Sequence, residues 1–258
     1  SKIIPVDLQY ASINNFGLTR DYALYDFRNN PIYNLITKEF LSKKRNKNKV
    51  ISLYDWSYNR YGKHITKTLD NICLKITGVS CKFIDYRSEG MFMFKKILLF
   101  DNKETLSLKK NKNYGSYLAA QSKSIHDYSK KQIIFTFPRG NYGFIKHVKK
   151  VLKKNNIEIS KEDTNNFHKI NLNEQTKTLK KISTPLHLVY LKCKNFPFTY
   201  LHDYSNNKVF RASSPGIYSN QYIDQKSFVC LEIPDPNLNI SKTEIIEISK
   251  EYISKFNK

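Results

Sequence analysis

Two segments of the chain combine residue types that bind anions. The first is Pro138-Arg-Gly-Asn-Tyr-Gly143, set between a β-branched and aromatic run, Ile133 to Phe137, and a helical pattern from Phe144 to Asn155. Glycines at a strand-to-helix junction let backbone N–H groups approach a ligand, and the helix N-terminus favours negative charge. Pro138, Arg139, Gly140 and Gly143 are the candidate ligand-facing residues here. The spacing is neither a dinucleotide fingerprint nor a P-loop, and taken alone the segment reads first as turn punctuation. The second segment is Lys208-Val-Phe-Arg-Ala-Ser-Ser-Pro-Gly-Ile-Tyr218, in which Arg211 precedes a Pro-Gly turn. A planar guanidinium binds phosphate or carboxylate bidentately where Lys does not, so Arg211 is the candidate substrate-anion residue, with a structural salt bridge as the alternative. Tyr190, Tyr200 and Tyr218 are further pocket candidates, although a tyrosine in a sheet also serves as core.

Other chemistries lose support. The six histidines are dispersed and make no metal-ligand spacing with Cys or Asp, so no metal site is expected. His202 and Asp203 are adjacent, yet neighbours on a strand point to opposite faces and form no ready acid–base dyad. No Gly-x-Ser-x-Gly elbow occurs. Cys73, Cys81, Cys193 and Cys230 form no Cys-x-x-Cys pair and lie among apolar neighbours, which fits buried structural thiols in a reducing compartment.

The elements that must position these residues follow from pattern. Ser52 with Asp55 three residues on is a short capping box before Trp56, Tyr58 and Tyr61, and Gly62 interrupts that helix. A further helix over 65–76 carries Ile65, Leu69, Ile72 and Ile76 on one stripe, with Gly78 where a left-handed cap belongs. Another begins at Pro31, and the basic run that follows it, 42–49, resembles a nucleic-acid patch or a solvated loop. Short strands are expected at 133–137, 157–159, 187–193, 197–202, 208–212 and 227–233, and a capped terminal helix presents Ile245, Ile248, Tyr252, Ile253 and Phe256 on one face. The expected fold is α+β: a mixed, largely antiparallel sheet with flanking helices, preceded by a helical and irregular insertion. Residues 1–132 form that insertion region and 133–258 the sheet-containing, substrate-type domain.

The 258 residues carry 44 Lys plus Arg against 22 Asp plus Glu, a net +22. Only 7 of the basic residues are Arg, so the charge reads chiefly as a lysine-coated surface, with a nucleic-acid or polyanion-binding module as the competing class of function. No apolar run reaches the length of a membrane-spanning helix and the first residues lack a secretory core, so a cytoplasmic location is expected.

Three blocks together resemble FAD-dependent amine-oxidase-like proteins, the group that includes protoporphyrinogen oxidases and UDP-galactopyranose mutases. They are Ser52-Leu-Tyr-Asp-Trp-Ser-Tyr-Asn-Arg-Tyr-Gly62 with Ile76-Thr-Gly-Val79, then Phe135-Thr-Phe-Pro-Arg-Gly-Asn-Tyr-Gly-Phe-Ile145, then His187 through Pro215 and on to Cys230-Leu-Glu-Ile-Pro234, in family order over roughly residues 50–235. The resemblance implies a flavin-dependent oxidoreductase-like or nucleotide-sugar mutase-like protein. It places residues 138–143 beside FAD, and Arg211 on a small anionic substrate with Tyr190, Tyr200 and Tyr218 around it. The family's Gly-x-Gly-x-x-Gly is absent from these residues and Asn141 stands where a second Gly is usual, which implies the substrate-side portion, either with FAD held by a separate segment or subunit or in a diverged relative that no longer holds FAD.

Overall fold

The computed structural model describes residues 4–7, 9–20, 24–45, 50–119, 133–136, 140–157, 184–193, 196–214 and 227–256. The fold is α+β. Strands β2 (Tyr10–Asn14), β3 (Gly17–Arg20), β5 (Leu186–Cys193), β6 (Tyr200–Asp203), β7 (Arg211–Ser213) and β8 (Ser227–Pro234) form one sheet in the order β3-β2-β6-β7-β8-β5. Every pairing in it is antiparallel except β2 with β6, which is parallel and joins residues about 190 positions apart, such as Tyr10 and Tyr200. The sheet therefore crosses the 132/133 division, because β2 and β3 come from the amino-terminal region.

One face of the sheet is apolar. Ala11, Leu201, Ala212 and Leu231 pair across neighbouring strands in one row, and with Val229 and Ile233 they are fully buried. Against them lies the terminal helix, α6 (Lys242–Ser254), through Tyr252 and Ile253, as its apolar stripe predicts. Burying each of the Leu, Val and Ile side chains is worth roughly 1.5–3 kcal/mol, which fixes the register because a one-residue slip would turn the row to solvent. Ser241 caps α6 by accepting from the Glu244 amide.

A second core belongs to the helical layer: α1 (Tyr33–Ser42), α2 (Leu53–Tyr61), α3 (Lys63–Thr77) and α4 (Asn102–Leu108), around Phe27, Phe40, Tyr61, Leu69 and Leu99. The Ser52–Asp55 capping box is complete. Gly62 has φ +93°, so α2 ends there and α3 restarts, with its first amides, Lys63 and His64, donating to the Glu39 carboxylate on α1 at 2.6 and 3.1 Å. Gly78 ends α3 in the left-handed region at φ +68°. A Cβ there would come within 2.7 Å of the Pro236 Cβ, so Gly78 also lets the helical layer touch the loop after β8. Gly78→Ala should lower stability by about 2 kcal/mol, read as a shift in the urea midpoint at unchanged slope.

Three expectations need correcting. Helix α5 spans Gly140–Lys154, so Gly140 and Gly143 lie in its first turns and no glycine turn precedes Phe144. A glycine costs about 1 kcal/mol in a helix, less than the continuous amphipathic run that follows gains by extending backward. Strand β4 (Ile133–Thr136) pairs antiparallel with β1 (Ile4–Asp7) in a two-stranded ladder of its own, outside the large sheet. Ile157 is not in a strand, and residues 158–159 lie outside the described residues.

Candidate functional site

The face of the sheet opposite α6 is polar and aromatic. Cross-strand partners place Tyr10, Tyr200, Ser213, Cys230 and Tyr190 in one row over five strands, and Ser12, His202, Arg211, Glu232 and Leu188 in the next. Alternation along each strand makes both rows project from the same face. Three of the residues singled out from sequence, Tyr190, Tyr200 and Arg211, are thus brought onto one surface. Pro138, Arg139 and Tyr218 lie outside the described residues, and Gly140 and Gly143 belong to α5.

The surface has a defined geometry. The Tyr10 and Tyr200 rings stack at 5.7 Å with an interplanar angle of 10°, and the Arg211 guanidinium lies 5.8 Å from the Tyr200 ring centre. Arg211 also makes the salt bridge that was its alternative reading. Its Nε donates to Glu232 Oε1 at 2.9 Å and its Nη2 donates to the same oxygen, which uses two of the five donors of the guanidinium. Burial, reinforced by the neighbouring Tyr200, raises the Tyr10 hydroxyl above its ordinary pKa. Burial raises that of Tyr200 as well, against the opposing pull of Arg211. Both phenols stay protonated donors at neutral pH. Tyr190, on edge strand β5, is 62% exposed.

His202 sits within the face, 6% exposed. Burial, with the nearby Arg211 charge second, pushes its pKa down to about 4. The neutral ring fits its contact, because the Tyr204 hydroxyl lies 3.3 Å from Nδ1 and its buried phenol is a donor. Since the folded pKa lies below the unfolded value near 6.5, the unfolded chain binds more protons between those limits. Stability should be fully present above pH 6.5 and fall by roughly 3 kcal/mol as pH drops to about 4, with a flatter profile in His202→Gln. Urea titrations at successive pH values check this, and an unchanged slope in the variant would show that His202 is not the group responsible. Asp203 faces away from His202, as strand alternation requires. Its carboxylate accepts from the Ser205 amide at 2.9 Å and from Asn207 Nδ2 at 2.6 Å, which shapes the β6–β7 hairpin.

At its Tyr204 and Pro234 end the face runs into a cleft of about 650 Å³ between α3 and the loops after β6 and β8. Asn15, Asn71, Asn206, Asn207 and Asn239 line it with Lys75 and Lys208, a set of amide donors and acceptors with two cations. Lys75 reaches from α3 to donate to the carbonyl oxygens of Asp203 at 2.8 Å and Ser205 at 3.0 Å. Burial pulls its pKa down to about 8, partly offset by Asp203. Sequence reasoning missed Tyr10, Lys75 and the asparagine set. The period-two series Tyr200, His202, Tyr204 was the legible signal of this face. The parallel pairing that adds Tyr10 has no local signature.

Among the described residues no three His, Cys, Asp or Glu side chains converge as a metal site, and no helix is long and apolar enough to cross a membrane. All four cysteines are buried, and the Cys81 contact together with burial keeps the Cys73 thiol protonated.

No protein-family model matches the chain, and no curated protein matches it. Solved structures do resemble it. A crystal structure of reduced UDP-galactopyranose mutase aligns with a TM-score of 0.54 at 10% identity, over 98% of this chain and 64% of that one. A protein from Pyrococcus furiosus aligns with a TM-score of 0.49 at 10% identity, over 99% of this chain and 66% of that one. The chain thus spans slightly under two thirds of the length of these structures, and at such identity the likeness is one of fold.

Proposed function

We propose that the chain is the substrate-side portion of a flavin-dependent, amine-oxidase-like protein, and that the polar face of its sheet takes a small anionic substrate of the nucleotide-sugar type. The observation that carries this reading is the single surface formed by Tyr10, Tyr200, Tyr190 and the Arg211–Glu232 pair, in a fold like that of a nucleotide-sugar mutase. Arg211 supplies charge to a phosphate while Glu232 holds its orientation, and the Tyr10 and Tyr200 hydroxyls donate to oxygens of the ligand. Rings already stacked lose little freedom when a ligand ring or sugar settles on them.

The residues present do not fit the flavin by themselves. The sequence contains no Gly-x-Gly-x-x-Gly cradle for its pyrophosphate, and Gly140 and Gly143 are helical. A separate segment or subunit is therefore assigned the flavin, which in such proteins supplies the redox or nucleophilic chemistry while the protein orients substrate. Two thermal-melt and spectral measurements test the division. UDP-galactose, but not galactose, should raise the melting temperature, and added FAD should keep its free spectrum. A perturbed flavin spectrum with this chain alone, or no response to UDP-galactose, would contradict it.

The basic surface favours a second reading, binding of nucleic acid. Helix α5 carries Lys146, Lys149, Lys150, Lys153 and Lys154 without an acidic residue. RNA affinity falling steeply with salt would support that reading, and no binding at physiological salt would remove it.

A further inference from the structure

A second cleft, of about 310 Å³, opens in the helical layer and shares no lining residue with the one at the sheet. Arg45, Trp56, Asn59, Arg60, Tyr86, Glu89 and Tyr117 line it with Val50. Its two arginines differ from three others among the described residues. Arg28, Arg87 and Arg211 are each held by a carboxylate, on Asp26, Asp85 and Glu232. Arg45 and Arg60 are instead held by rings. The Arg45 guanidinium lies 4.8 Å from the Phe40 ring centre and 5.3 Å from that of Tyr117, and the Arg60 guanidinium lies 4.3 Å from Trp56 and 5.1 Å from the same Tyr117. Among the described residues neither makes an ion pair, and Glu89, on the cleft wall, lies beyond salt-bridge distance of both. Arg45 donates from Nη1 and Nη2 to the Lys43 and Phe40 carbonyl oxygens, at 3.3 and 3.2 Å, and its Nε is buried without a hydrogen-bond partner.

We infer that this cleft binds a small organic anion bearing a planar ring, an aryl phosphate or aryl carboxylate in chemical class. Two guanidiniums oriented by one aromatic ring, without a protein counter-ion, leave charge and donors for a phosphate or carboxylate to satisfy. A bare inorganic ion would not use the aromatic walls or the volume, whereas a ring would pack on Tyr86 and Trp56. Asn59 and Glu89 offer acceptors to a polar substituent on that ring. Glu89 also opposes the anion electrostatically and so limits affinity.

Trp56 is the sole tryptophan of the chain, so its emission reports on this cleft directly. Phenyl phosphate is the probe. It should change Trp56 emission saturably, inorganic phosphate should compete only weakly, and neutral benzyl alcohol should not bind. Arg60→Gln should weaken phenyl phosphate binding tenfold or more, and Glu89→Gln should strengthen it severalfold, because removal of a like charge favours the anion. Arg45 packs on core rings and its replacement threatens folding, so Arg60 and Glu89 carry the test. Ligand-detected NMR on the same variants gives a readout independent of the Trp56 environment. No saturable binding at millimolar probe, or affinity unchanged in Arg60→Gln, would overturn the assignment. Neither result bears on the sheet face, whose residues are untouched in these variants.

Discussion

Arg211→Met should weaken binding of UDP-galactose at least tenfold while the protein remains folded. The fold-change is that of one charge-assisted contact to phosphate, about 1.4 kcal/mol or more. Removing Arg211 alone also strands Glu232, whose side chain is 12% exposed, so a stability loss is expected beside the binding loss. The double variant Arg211→Met, Glu232→Gln separates the two effects. It removes the pair together, should regain most of the lost stability, and should still fail to bind. If the double variant recovers affinity together with stability, Arg211 is purely structural and the ion pair is its whole role. Calorimetric titration beside urea unfolding reads both quantities on the same samples.

Among the substitutions, Lys75→Met carries the largest expected loss of stability, roughly 2–3 kcal/mol at neutral pH. The substitution keeps the apolar stem but leaves the Asp203 and Ser205 carbonyls without their donor, and takes the cation away from the buried Asp203 carboxylate 3.9 Å from it. It thereby loosens the joint between α3 and the β6–β7 hairpin, which also forms one wall of the larger cleft. The pH dependence has a definite sign. The folded pKa, about 8, lies below the ordinary lysine value of 10.5, so the unfolded chain binds more protons between those limits. The contribution of this group to stability should rise as pH increases from about 8 toward 10.5, and the neutral amine still offers two N–H donors for the two carbonyls. Unfolding in guanidinium at neutral and alkaline pH should show that rise in the natural chain and lose it in Lys75→Met.

Much of the fold was legible where the physics is local. The Ser52–Asp55 box, the left-handed cap at Gly78 and the apolar stripe of α6 each depend on residues within a few positions of one another. Gly140 to Gly143 was misread for an equally local reason: Gly and Asn signal a turn, yet a short stretch of weak helix formers at a helix start is outweighed by the run behind it. The candidate face was legible only in pieces. Tyr190, Tyr200 and Arg211 stand out by residue type, but their sharing one surface depends on strand partners chosen by long-range pairing, and Tyr10 joins them through a parallel contact that nothing near it in sequence announces. The same limit applies to Arg45 and Arg60, which meet only because both rest on Tyr117. The net charge of +22, prominent in composition, singles out neither site.

The most direct test of the sheet face as a substrate surface is an isothermal titration of UDP-galactose into the natural chain and into the Arg211→Met, Glu232→Gln double variant at physiological salt. The expected result is one saturable site in the natural chain, weakened at least tenfold in a double variant that melts cooperatively. Equal affinity in the two proteins, or no binding to the natural chain, would contradict the account.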